Sequence, residues 1–88
     1  MMATVVVPSL MRDLTGGRAQ VEVPGRTVRD LLEALERRYP GIEERLCEGD
    51  ELASTIVVSV DGKLSRLGLF QPVGEKSVIR FLPAIEGG

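Results

Sequence analysis

The sequence predicts an α+β fold: a mixed sheet of about five strands packed on one main helix. Three observations carry that expectation. One stretch, residues 27–39, has helical apolar spacing bounded by a cap and a breaker. Short β-branched runs lie on both sides of it. Two of those runs, near the two ends of the chain, are the most apolar, so they are expected to sit side by side in the middle of the sheet.

Residues 3–8, ATVVVP, are β-branched and close on proline, so they read as a central strand. Leu10, Met11 and Leu14 follow in a less regular stretch, and Thr15-Gly16-Gly17 signals a turn. Residues 18–23, RAQVEV, alternate polar and apolar, the period of a half-buried strand. Strand, glycine turn and strand make an antiparallel hairpin, which Pro24-Gly25 ends. Thr27 is an N-cap whose hydroxyl can accept from a free N–H of the first helical turn. Asp30, three residues on, forms a weaker version of the capping box. Val28, Leu31, Leu32, Leu35 and Tyr39 make one apolar stripe, opposite Arg29, Glu33, Glu36 and Arg37. Pro40-Gly41 stops the helix.

Residues 42–52 hold a short helical turn with Ile42 and Leu46 inward. Residues 54–60, STIVVSV, form a third strand, and Asp61-Gly62 is a hairpin turn because both residues tolerate positive φ. Lys63 and Leu64 start a short return strand. Residues 67–77 connect, with Leu67, Leu69 and Phe70 available to cap the core. Residues 78–82, VIRFL, are the last strand. The helix has one sheet face to cover, and the connection between the first and last strands runs through the helical layer. The two strands therefore run parallel, and the architecture is the β-grasp. Residues 1–83 form the domain and residues 84–88 a flexible tail.

Composition narrows the function. The chain has 88 residues, a net charge of −2, one cysteine and no histidine. A chain of this size buries about 60–65% of its unfolded surface, leaving little room for a deep active site. An acidic balance argues against nucleic acid. The arginines at 26, 29, 37 and 38 read as the wet side of a helix first and a partner-facing patch second. No cluster can build a zinc site or a Cys–His dyad. Cys47 reads as a small packing residue without a base to activate it. One thiol and no signal peptide point to the cytoplasm. No apolar run is long enough to span a membrane. The chain is expected to be no enzyme and to hold no metal or cofactor of its own.

The terminus FLPAIEGG carries the functional signal. Pro83 cannot donate to a ladder and is expected to end regular pairing. Ala84, Ile85, Glu86, Gly87 and Gly88 then project about 16 Å. A glycine pair suits a tail threaded into another protein's active site, because glycine permits close backbone approach. The plain alternative is a frayed terminus.

The β-β-α-β-β-β order, the Tyr39-Pro40-Gly41 helix exit, the Gly74-Glu75 turn and residues 81–88 resemble the ThiS/MoaD family of ubiquitin-like sulfur carriers. Thr15-Gly16-Gly17 and residues 42–46 add to the likeness. It is nearest the branch holding the cysteine-biosynthesis carrier and the molybdopterin synthase small subunit. Glu86 departs from the family, whose members often carry a small residue there. The resemblance implies a ubiquitin-activating-enzyme-like adenylyltransferase as partner, using ATP and Mg²⁺ on the Gly88 carboxylate. A sulfur donor then yields a thiocarboxylate, and a sulfur-accepting biosynthetic enzyme takes the sulfur. It further implies partner docking at Leu82 and Ile85, with Phe81 and Pro83 beside them; plain core packing is the other reading of Leu82. A lysine-conjugated modifier and a non-covalent interaction subunit are the competing functions.

Overall fold

The computed structural model describes residues 2–84. Strands β1 (Met2–Val6) and β2 (Gln20–Pro24) pair antiparallel, with Val5 opposite Val21 and Ala3 opposite Val23. A 3₁₀ turn at Ser9–Met11 and the positive-φ pair Gly16 and Gly17 join them. The hairpin is the one expected, although β1 stops at Val6. Pro8, two residues on, has no N–H to extend the ladder.

Helix α1 (Val28–Arg38) begins at a complete capping box. The Thr27 hydroxyl accepts from the Asp30 N–H, and the Asp30 carboxylate accepts from the Thr27 and Arg26 N–H groups at 3.2 and 2.9 Å. Those backbone donors, Arg26 first, hold the Asp30 carboxyl below its ordinary value. Gly25 is required just before the cap. A Cβ there would come within 2.7 Å of Asp30 Cβ and 2.8 Å of Leu31 Cδ2. Val28, Leu31, Leu32 and Leu35 are buried, and Tyr39 is half-buried as the C-cap.

Gly41, at φ +104°, turns the chain into helix α2 (Ile42–Leu46). The Glu36 carboxylate braces this corner by accepting from the Gly41 and Glu43 N–H groups, each at 3.0 Å. Ile42 and Leu46 face inward, as their spacing predicts. A two-stranded hairpin of β3 (Cys47–Glu48) and β4 (Glu51–Leu52) follows, which the sequence does not announce. Two-residue strands are too short to show an alternation.

Strand β5 (Ile56–Val60) turns through Asp61 and Gly62, at φ +51° and +85°, into β6 (Lys63–Leu64). The Asp61 carboxylate accepts from the Val78 N–H and the Ser77 hydroxyl, both at 2.9 Å, and so fixes the start of β7 (Val78–Pro83). In the preceding connector Leu69 is buried in the core and Val73 packs against it. The tight turn Gly68–Phe70 puts Leu67 and Phe70 outward, 56% and 72% exposed.

The five-stranded sheet has the order β2-β1-β7-β5-β6. β7 is central, parallel to β1 and antiparallel to β5. The expected adjacency and direction of the first and last strands are both present. Val5, Val23, Val58, Ile79 and Phe81 meet the α1 stripe in one core. This is the β-grasp, with the described part of the chain leaving from the end of its central strand.

Candidate functional site

The site is the exit of β7. Successive side chains of a strand point to opposite faces, and Arg80 marks the wet face here. Ile79 and Phe81 therefore point to the helix side, and Leu82 points away, opposite Val57. Phe81 is 5% exposed and belongs to the core, so it is not a free docking side chain as the sequence suggested. Leu82 is 38% exposed on the helix-free face and is available to a partner. The alternation around Arg80 was the signal that separates the two. Pro83 is exposed.

Pairing also runs further than expected. Pro83 is inside the strand, opposite Ile56, and the Ala84 N–H donates to the Thr55 carbonyl at 2.7 Å. Antiparallel pairs alternate between bonded and non-bonded positions. Since Ala84 bonds to Thr55, Pro83 falls at a non-bonded position toward β5. Its nitrogen faces the β1 side, where β1 has already stopped with Val6 opposite Arg80. The missing N–H of Pro83 thus leaves no β5 partner unpaired. Ile85, Glu86, Gly87 and Gly88, the outer four tail residues named from the sequence, lie outside the described residues.

Beside this exit is an apolar hollow of about 430 Å³. Pro83 and Phe81 line it with Met11, Leu46, Thr55 and Ile56. Sequence reading missed the last four as neighbours of the tail. They come from separate segments, and no local pattern announces that contact.

Elsewhere the chemistry is sparse. Cys47 is half-buried at the end of α2. Burial chiefly, and the Glu43 charge next, push its thiol above the ordinary value. A raised pKa keeps a thiol protonated and a poor nucleophile. Among the described residues no cluster of His, Cys, Asp and Glu could hold a metal ion. No helix among them is long and apolar enough to cross a membrane. What the arrangement provides is a strand end tied to the Thr55 carbonyl through the Ala84 N–H.

A β-grasp domain whose central strand leads into a Gly87-Gly88 sequence defines the class of ubiquitin-like carriers and modifiers. The chain belongs to the ThiS family, whose model matches residues 5–88. It is 31% identical to the sulfur carrier protein CysO of Mycobacterium tuberculosis, over the full length of both chains. A chain in the crystal structure of the Amycolatopsis orientalis BexX/CysO complex is 35% identical, with a TM-score of 0.89 over 98% of this chain and 99% of that one. The solution structure of small archaeal modifier protein 1 from Methanosarcina acetivorans is 25% identical, with a TM-score of 0.78 over 100% of this chain and 99% of that one.

Proposed function

We infer that this sulfur carrier protein works through the carboxylate of Gly88. The observation that carries the reading is a family match running through residue 88 on a fold whose central strand points into that segment. The chain is a protein co-substrate, and catalysis belongs to its partners. A ubiquitin-activating-enzyme-like adenylyltransferase binds ATP and Mg²⁺. A Gly88 carboxylate oxygen attacks the α-phosphate, and pyrophosphate leaves. Sulfide then attacks the acyl carbon of the mixed anhydride, and AMP leaves. The product is a C-terminal thiocarboxylate, which a sulfur-accepting enzyme draws on to build cysteine, molybdopterin or another sulfur-containing metabolite. Ala84, Ile85, Glu86 and Gly87 form the tail that reaches the active site, and Leu82 contributes to docking, with Pro83 at the root. The setting is the cytoplasm, and neither nucleic acid nor a membrane is a partner.

The test is intact mass. With the activating enzyme, ATP and sulfide, the chain gains about 16 Da, one oxygen replaced by sulfur. A chain lacking Gly87 and Gly88 gains nothing while keeping its thermal midpoint. No gain in the native chain with its cognate enzyme overturns the reading. The likeness to small archaeal modifier protein 1 supports a second reading, attachment to lysines through Gly88. Isopeptide-linked conjugates in cell lysate distinguish it.

A further inference from the structure

We infer that the hydrogen bond from the Ala84 N–H to the Thr55 carbonyl is the pin that fixes the root of the tail. It makes Ala84 and Thr55 positioning residues for activation of Gly88. The inference rests on the sulfur-carrier reading and adds to it the point from which the reacting carboxylate is presented.

Three observations converge on it. The bond measures 2.7 Å and lies one residue beyond a proline that has no N–H to give. The preceding bonded position toward β5 is Leu82, opposite Val57. The Thr55 carbonyl is itself on a braced turn. The Ile56 N–H donates to Ala53, and the Ala53 N–H donates to Leu46, both at 2.9 Å. Leu46 is 1% exposed in the core. A chain of backbone bonds therefore runs from the core through Leu46 and Ala53 to the turn that holds Ala84.

The consequence is one of length. With the pin in place, four residues separate the fixed point from the terminus, and four residues of chain reach at most about 13 Å. An enzyme whose active site holds Gly88 must bring its surface within that distance of Ala84. Without the pin the fixed point retreats to Leu82. Six residues then separate the fixed point from the terminus, a reach of at most about 20 Å. The volume searched by the carboxylate rises about two-fold, following the three-halves power of length. Two further residues must be ordered at each encounter, which weakens productive binding. The bound complex holds the tail in either case, so the chemical step is spared.

The experiment deletes the donor alone. Ala84 is replaced by lactic acid in the full chain, which turns the N–H into an ester oxygen and leaves side chain and tail sequence unchanged. Pyrophosphate release by the activating enzyme gives KM and kcat for the chain. The expected result is a KM raised about five-fold, a kcat within about two-fold of native, and an unchanged thermal midpoint. An unchanged KM in the ester overturns the inference. A second readout needs no enzyme. In the free protein the Ala84 amide exchanges with deuterium at least about ten-fold more slowly than an unstructured amide. Exchange at the unstructured rate overturns the pin by itself. Failure of the native chain to gain sulfur strikes the functional reading instead.

Discussion

Arg38 Nη1 donates to the main-chain carbonyl of Glu22 at 3.1 Å, across the open edge of the sheet. The bond runs from the last turn of α1 to β2, and the Tyr39 ring lies 5.3 Å from the same guanidinium. Val7 N–H bonds to Ala19, so Gln20, Glu22 and Pro24 turn their backbone groups outward. Pro24 has no N–H to offer there, and Arg38 occupies the Glu22 carbonyl. An unpaired edge is a template for another strand, and charge and proline blunt it. Arg38→Ala is expected to lose less than about 1 kcal/mol of stability, because the contact is exposed. It is expected to raise self-association at high concentration, read by sedimentation velocity. Adding Gln20→Pro should reverse that rise; a dimer that ignores the proline forms elsewhere.

Phe81 and Leu82 are neighbours with opposite assignments. Phe81→Ala opens a cavity in the core and is expected to cost about 3–5 kcal/mol in chemical denaturation. That is a large part of what a domain this small has. Leu82→Ala is expected to cost under about 1 kcal/mol and to raise KM for the activating enzyme about ten-fold. If Leu82→Ala unfolds the protein while its activation is normal, the docking role is wrong.

The capping box makes a prediction in pH. Folding lowers the Asp30 carboxyl, chiefly through the Arg26 N–H. A lowered folded value contributes stability that is complete above the ordinary carboxylate range. It is lost as pH falls through about 4 and then through the folded value. Asp30→Asn should therefore flatten the stability curve below about pH 4. Thr27→Ala removes the partner hydroxyl and is expected to cost about 1 kcal/mol at neutral pH. Equal slopes for Asp30→Asn and native protein would falsify this account.

Cys47 should react slowly. Burial and the Glu43 charge raise its thiol, with Arg29 opposing weakly. The pH midpoint of alkylation is expected above that of an unstructured cysteine peptide, and Glu43→Gln should move it down. A midpoint at or below the peptide value would show an accessible, activated thiol.

Much of this was legible in residues alone. The α1 stripe, the Thr27 cap, the Asp61-Gly62 turn and the inward Ile42 and Leu46 are short-range patterns with fixed physical causes. The parity of Phe81 was also there to read, since Arg80 between Ile79 and Phe81 marks which face is wet, but the sequence reading assigned Phe81 to docking instead. The β3–β4 hairpin was not legible, because two residues carry no period. Nor was the persistence of pairing past Pro83. A proline is tolerated or not according to which neighbour its missing N–H would face, and that depends on where β1 ends.

The sequence by itself determined the main helix, the strands of the five-stranded sheet, their order and the Gly87-Gly88 signal, because periodicity, capping and turn chemistry act over a few residues. Tertiary structure decided that Met11, Leu46, Thr55 and Ile56 gather at the exit of β7. It also decided that Ala84 is tied to Thr55 and that Arg38 closes the β2 edge. Each joins β7 or β2 to residues at least 16 positions away in sequence. Register and strand order set such meetings, and no local run of residues encodes either.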